Sequence, residues 1–172
     1  MSGFIINIFG PMTAGKSTTA NFLKEHIDRL YTVDFDVVKR QISNYYSPRD
    51  RQDATEITYD TLASAAKSEL PIVALLPPPK DQESYERISD IAKQNGRRLI
   101  NIEITAPVEV LVKRYTERIK SVTESGDVIK LRTPEEFKHA VKSPYYKPTD
   151  SHAIDSSLLS PEEIFEQVKS LL

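Results

Sequence analysis

The sequence predicts an α/β protein with a doubly wound, parallel five-stranded sheet and helices on both faces. Short apolar runs such as FIINIF, IVALL and LINIEI alternate with longer segments of helical periodicity, which is the pattern of a parallel sheet covered on both sides. A chain of 172 residues is long enough for one sizeable core and short for two. We therefore expect a single domain over residues 1–172.

The predicted elements alternate along the whole chain. We predict strands over residues 4–9, 31–35, 72–76, 99–104 and 153–154, and helices over residues 16–29, 37–45, 52–70, 81–95, 107–120 and from 161 onward. In the first helix, Ala20, Leu23 and Ile27 are spaced to face a core. The strand over 72–76 is fully apolar, as in a strand covered on both faces. It ends at PPPK because proline cannot donate to a sheet.

The later elements carry clear end signals. Gly96 follows the helix over 81–95 as a C′ residue, and Ser160, Pro161 and Glu163 form the N-cap, N1 and N3 positions of the last helix. The stretch over 121–151 is long for a loop in a compact domain. We expect a mobile lid or insertion within residues 118–151, with a short helical piece after Thr133.

Composition excludes several classes of function. The chain has 23 Lys plus Arg against 25 Asp plus Glu, so no bulk positive field favours nucleic acid. It has no cysteine, which removes disulfides and thiolate sites and fits a reducing cytoplasm. No segment approaches the roughly 20 apolar residues of a membrane span. We expect a cytoplasmic protein without a membrane partner.

The segment GPMTAGKST carries the strongest functional signal. It satisfies the phosphate-loop pattern G-x-x-x-x-G-K-[ST] between a predicted strand and a helix. Glycines let backbone N–H groups point at phosphate oxygens, the lysine reaches the β- and γ-phosphates, and the serine hydroxyl ligates Mg²⁺. The predicted nucleotide-binding residues are Gly10, Pro11, Met12, Thr13, Ala14, Gly15, Lys16, Ser17 and Thr18, with Ser17 as the metal ligand.

The second predicted strand ends in the segment VDFDVVKR, which contains two aspartates. The carboxyl end of a neighbouring strand opens onto the same crevice as the phosphate loop. Asp34 or, preferably, Asp36 could therefore accept the proton of an attacking hydroxyl. The alternative is that Asp36 only caps the next helix.

A basic helix face is the third candidate feature. Arg114 and Arg118 are four residues apart and share a helix face, from which they could neutralise charge on a transferring phosphoryl group. A solvated face paired with Glu109 and Glu117 is the alternative. Six further residues are candidates for the rim of an acceptor pocket, although residues of these types more often form an ordinary solvated surface. They are Lys80, Arg49, Arg51, Lys147, Tyr145 and Tyr146.

The segments GPMTAGKST, DFDVVK, TAPVEVLVKRYTERI and SPYYKPTDSHAIDSSLLSPEEI together resemble small P-loop kinases that phosphorylate hydroxyl groups. This group includes adenylylsulfate kinase, gluconate kinase, polynucleotide 5′-hydroxyl kinase and zeta-toxin-like kinases. The resemblance implies strand order 2-3-1-4-5, ATP with Mg²⁺, Asp36 as a base or orienting carboxylate, and Arg114 and Arg118 at the lid. The chain departs from the group at Lys39, where an arginine is usual, and lacks a carboxylate after the third strand.

These observations predict an ATP-dependent phosphotransferase that moves the γ-phosphate to a hydroxyl group of a small molecule. Asp34, Asp36, Lys39 and Arg40 are the predicted acceptor-binding residues. A nucleotide or polynucleotide 5′-hydroxyl kinase is the alternative enzyme. A nucleotide-dependent switch is the alternative of another class, but the guanine motif N-K-x-D and the motif D-x-x-G are both missing from the sequence.

Overall fold

The computed structural model describes residues 3–125 and 133–172, and these ranges form the predicted α/β architecture. The strands are β1 (Phe4–Phe9), β2 (Tyr31–Asp34), β3 (Ile72–Leu75), β4 (Arg98–Thr105) and β5 (His152–Asp155). The helices are α1 (Lys16–His26), α2 (Phe35–Gln41), α3 (Ser47–Ala66), α4 (Gln82–Gln94), α5 (Val108–Ser125), α6 (Pro134–Ala140) and α7 (Pro161–Lys169).

The five strands form one parallel sheet in the order β2-β3-β1-β4-β5, which confirms the predicted order. The central strand β1 pairs with β3 on one side and with β4 on the other. Because all strands are parallel, their carboxyl ends meet at one edge of the sheet. This edge is where ligands bind in open α/β folds.

Each face of the sheet buries its own hydrophobic core. Ile6, Ile8 and Ile102 point to one face, where they pack in a cluster that includes residues of α1, α5, α6 and α7. Ile5 and Ile72 point to the other, where they pack with residues of α3 and α4. The alternation of side chains along parallel strands thus produces two apolar layers, as the strand sequences predict.

The predicted bounds of α2 and α3 are wrong. Helix α2 begins at Phe35 because the Asp34 side chain accepts a hydrogen bond from the Asp36 N–H at its N-terminus, at 2.7 Å. Helix α3 begins at Ser47, well before the predicted start at residue 52, because proline is favoured in a first helical turn. Asp50 supports this start by accepting a hydrogen bond from the Tyr46 N–H at 2.7 Å.

Helix α3 also ends before the predicted Leu70, and the buried Arg97 explains where it stops. Its guanidinium donates to the carbonyl oxygen of Ala66 at 3.1 Å, to that of Leu70 at 2.6 Å, and to that of Ser68. Because α3 ends here, these carbonyl oxygens have no N–H donor from a following helical turn. One side chain therefore satisfies the end of α3 and the turn that leads into β3.

Part of the predicted lid region is anchored to the core. Helix α6 packs against α5 through Phe137, which is fully buried and stacks on Tyr115 with ring centroids 3.9 Å apart. Residues 126–132, which belong to the predicted lid, lie outside the described residues. None of the helices in the described ranges combines the length and apolarity of a membrane span.

We predict that Arg97→Ala lowers the free energy of unfolding by about 2–4 kcal/mol, because three carbonyl groups at the end of α3, one of them on the buried Ala66, lose a charged donor. Urea unfolding followed by circular dichroism measures the change. The neighbouring Arg98→Ala is the control, since Arg98 is exposed and its guanidinium reaches the last residue, Leu172. Equal losses in the two variants would contradict the assignment.

Candidate active site

The loop between β1 and α1 depends on unusual backbone geometry. Gly10, Thr13 and Gly15 have φ angles of 133°, 62° and 103°, in the region that favours glycine. A Cβ atom on Gly10 would lie 2.0 Å from the carbonyl oxygen of Ile104 in β4. Thr13 is held by its hydroxyl, which donates to the carbonyl oxygen of Leu111 at 2.9 Å. The loop is therefore fixed against both β4 and α5.

The N-terminus of α1 is left open to an anion. It begins at Lys16, directly after the loop, and its N-cap Gly15 provides no side-chain hydrogen bond. The first turn contains no acidic residue, whereas each of the other described helices has one. The first N–H groups of a helix lack intrahelical acceptors and carry a partial positive charge. This helix end is thus suited to a phosphate group.

Lys16 lies across the loop. Its ammonium group donates to the carbonyl oxygens of Gly10 at 3.0 Å and Pro11 at 2.7 Å. Burial lowers the pKa of Lys16 from 10.5 to about 8, and the positive charge of Arg118 also lowers it, while Asp36 and Asp34 act in the opposite direction. Asp34 ends β2 and Asp36 lies in the first turn of α2, at the same carboxyl edge of the sheet as the loop, which agrees with their effect on Lys16.

The two aspartates have different local roles. Asp34 is the N-cap of α2, so the alternative that assigned the cap to Asp36 is wrong. Burial raises the pKa of Asp34, and the hydrogen bond from the Asp36 N–H partly offsets this effect. The Asp36 side chain is 57% exposed and forms an ion pair with Lys39 at 2.6 Å. Asp36 is therefore the carboxylate that is free of a capping role.

Cationic groups surround the aromatic ring of Phe35 beside these carboxylates. The Lys39 ammonium lies 5.2 Å from the ring centroid and the Arg51 guanidinium 5.4 Å from it. Lys39 also lies 5.8 Å from the Tyr45 ring. Arg40 is exposed, and its charge lowers the pKa of Asp34. The start of α2 thus combines carboxylates with positive charge.

Comparisons with known proteins find similar proteins that are named as kinases. No protein-family model matches the chain. A curated "Probable adenylyl-sulfate kinase" of Pyrococcus abyssi (strain GE5 / Orsay) is 26% identical over 177 residues, which cover 98% of this chain and 94% of that protein. A solved "putative kinase" of Chloroflexus aurantiacus j-10-fl has a TM-score of 0.79 and 19% identity, with 100% of both chains covered.

A second solved structure is the APS kinase CysC of Mycobacterium tuberculosis in complex with AMPPNP and APS. Its TM-score is 0.64 at 16% identity, and the match covers 99% of this chain and 97% of that one. The chain matches the small P-loop kinases. The two structures establish the fold, and the full-length curated relative supports a kinase function for this P-loop protein.

Arg114 joins three parts of the fold. Its guanidinium donates to the hydroxyl of Ser156 at 2.8 Å and to the Ser156 carbonyl at 2.9 Å, with longer contacts of 3.4 Å to the carbonyls of Thr13 and Ala14. It therefore lies against the carbonyl side of the loop. Arg118 is exposed, and its charge lowers the pKa of Lys16.

Ser156 is a structural part of the site that the sequence alone did not reveal. Its hydroxyl donates to the carbonyl oxygen of Ala14 at 2.6 Å, and its N–H donates to that of Thr105 at 2.9 Å. It thereby connects the loop to the ends of β4 and β5. The run of serines after the last predicted strand was the available signal, but serine is common in turns that have no part in a functional site.

The remaining loop positions fit a Mg²⁺–nucleotide. Ala14 is buried and supports the loop, whereas Met12, Ser17 and Thr18 are exposed. The hydroxyl of Ser17 lies in the first turn of α1, and oxygen donors of this kind suit Mg²⁺ that arrives with phosphate groups. Among the described residues, no cluster of three histidine or acidic side chains could hold a metal by itself.

We predict that the affinity for Mg²⁺–ATP falls as the pH rises through about 8. Below that pH the free protein carries a charged Lys16, and above it binding requires proton uptake, so affinity falls by up to about tenfold per pH unit. Calorimetric titrations between about pH 7.5 and 9.5 measure the effect. Lys16→Arg is the control because arginine keeps its charge. A wild-type profile as flat as that of Lys16→Arg would contradict the prediction.

Proposed function

We propose that the protein transfers the γ-phosphate of ATP, bound with Mg²⁺, to a hydroxyl group of a small acceptor that carries a negative charge. The observation that carries the proposal is that the loop after β1 and the exposed Asp36 carboxylate after β2 lie at the same carboxyl edge of the parallel sheet, where the charge of Asp36 acts on Lys16. Phosphoryl transfer to an alcohol uses this combination.

The donor half of the proposed site is the loop with the start of α1. Residues 10–18 would hold the phosphates through backbone N–H groups and the Lys16 ammonium. Ser17 would hold Mg²⁺, which supplies charge neutralisation at the phosphates when it is bound. Arg118 would add positive charge on the Lys16 side, and Arg114 would keep the loop in place through Ser156.

The acceptor half is the start of α2. Asp36 would accept the proton of the acceptor hydroxyl as that oxygen attacks the γ-phosphorus, and ADP would leave with the electrons of the broken bond. Lys39 and Arg51 flank Phe35, and with Arg40 they would bind the negative group of the acceptor. Because Lys39 is a point charge without the fork of an arginine, it is less selective for a planar group.

A lid within residues 118–151 would complete the site by excluding water from the γ-phosphate. Without such exclusion the enzyme would hydrolyse ATP. The support for this proposal is the position of Arg118 at the start of the region, where its charge acts on Lys16.

The acceptor is best identified by a screen for acceptor-stimulated ADP release. Adenylyl sulfate comes first, because the curated relative is named for that substrate. Anionic metabolites with hydroxyl groups, neutral sugars, nucleosides and oligonucleotide 5′ ends follow. Stimulation by an anionic small molecule supports the proposal. Stimulation by oligonucleotide ends alone would favour a polynucleotide kinase, and release that no acceptor stimulates would favour a nucleotide-dependent switch.

We predict that Asp36→Asn lowers the turnover number for phosphoryl transfer by about 10²–10⁴-fold, because the acceptor hydroxyl loses its base. Binding of Mg²⁺–ATP should change by less than about threefold, since Asp36 lies in the first turn of α2 rather than in the phosphate loop. Steady-state kinetics and calorimetry measure the two effects. Asp53→Asn is the control, as Asp53 is exposed on α3. Equal losses of transfer and of nucleotide binding would assign Asp36 to the metal or to the fold.

A further inference from the structure

Residues 143–151, here called the strap, cross the carboxyl edge of the sheet on the face that α3 and α4 cover. The Tyr146 N–H donates to the carbonyl oxygen of Pro79 at 2.8 Å, in the segment after β3. The Tyr146 ring lies 5.6 Å from that of Tyr85 in α4, and the Asp150 carboxylate accepts from the Asn101 amide in β4 at 3.1 Å. The strap therefore spans from β3 to β4 across the end of β1.

A buried carboxylate lies beneath the strap. Glu103 is 5% exposed, and in the sheet register it is directly beside Phe9, the last residue before the phosphate loop. Its Oε1 atom accepts a hydrogen bond from the Tyr145 hydroxyl at 2.5 Å and forms an ion pair with Lys147 at 2.6 Å. The strap thus supplies both contacts that the structure shows for this carboxylate.

The physical cost of burying charge makes these contacts restrictive. A buried carboxylate without partners is strongly unfavourable, so the strap cannot move away while Glu103 stays ionised and dry. Burial and the Glu103 carboxylate both raise the pKa of Tyr145, so its hydroxyl remains protonated and donates. Glu103 therefore fixes the strap in one position against β1 and β4.

Lys147 satisfies Glu103 and still faces solvent. Its side chain is 58% exposed, and its ammonium lies 5.4 Å from the centroid of the Tyr145 ring. That ring packs edge-to-face on Phe9 at 6.1 Å. A partly exposed lysine therefore lies beside Glu103 and the Tyr145 ring, on the sheet face that α3 and α4 cover and close to the end of β1.

We propose that Glu103 is a positioning residue that holds the strap as a fixed wall of the acceptor crevice and directs the Lys147 ammonium toward a negative group of the acceptor. This inference rests on the proposed function, because it names a specificity element of that same site. It adds a positive charge on the side of the crevice formed by β4, opposite the charges on α2. An acceptor with negative groups on two sides fits such an arrangement.

The test uses the full-length protein and four variants. Glu103→Gln removes the charge that fixes Lys147, Lys147→Met removes the ammonium group, and Lys147→Arg keeps a positive charge. Lys142→Ala is the matched control, since Lys142 is an exposed lysine just before the strap. Hydrogen–deuterium exchange of the strap amides and steady-state kinetics are measured for each, with adenylyl sulfate and the anionic acceptors of the screen above.

We expect faster exchange of the strap amides in Glu103→Gln and Lys147→Met than in Lys142→Ala. We also expect the acceptor KM to rise about tenfold in these two variants, the size of one lost charged contact, while the ATP KM stays within about twofold. Lys147→Arg should keep the acceptor KM close to the wild-type value. This split separates a positioning role from a general loss of structure, which would affect both substrates.

Three results would overturn the inference. Strap exchange in Glu103→Gln and Lys147→Met that equals that of Lys142→Ala would show that Glu103 does not fix the wall. If the wild type phosphorylates an anionic acceptor but the two variants keep its acceptor KM, or raise both KM values in parallel, the strap has no acceptor role and the proposed function stands. A wild-type protein that phosphorylates none of the anionic acceptors would defeat the proposed function, and the acceptor role of the strap with it.

Discussion

The site depends on the close approach of Gly10 to β4. A side chain at this position would collide with the carbonyl oxygen of Ile104, since a Cβ atom would lie 2.0 Å from it. Because β4 lies beside β1 in register, the chain can leave β1 only through a residue without a side chain. The direction of this exit determines where α1 starts, and the N-terminal end of α1 is what makes the loop suitable for phosphate.

Electrostatics then organises the crevice around that helix end. The first turn of α1 has no acidic residue, so its positive end is left for an external anion. Lys16 is buried enough to lower its pKa to about 8, and the charges of Asp36 and Asp34, at the junction of β2 and α2, moderate this effect. Arg114 and Ser156 hold the loop from behind through direct hydrogen bonds. The loop at the start of α1 and the exposed Asp36 carboxylate, which pairs with Lys39, thereby lie at the same edge of the sheet.

Local patterns in the sequence predicted the α/β class and the glycine loop between β1 and α1, because strand, glycine turn and helix start are adjacent in the chain. The strand order was instead an implication of the resemblance to P-loop kinases. The start of α2 was harder, since only the structure shows that Asp34 accepts the capping hydrogen bond and leaves Asp36 free. Contacts between distant residues were inaccessible. Ser156 reaches Ala14 across 142 positions and Tyr145 reaches Glu103 across 42, and no local periodicity encodes such pairs.

The central claim is that the loop is the donor half of a kinase site, and transfer of a labelled γ-phosphate tests it most directly. Wild-type protein, Lys16→Ala and the control Lys24→Ala, which removes an exposed lysine from the same helix, are incubated with labelled ATP, Mg²⁺ and the acceptor found by the screen. Folding of each is verified by thermal unfolding. The account predicts labelled acceptor with the wild type and with Lys24→Ala, and none above background with Lys16→Ala. Wild-type rates of transfer by a folded Lys16→Ala variant would contradict it.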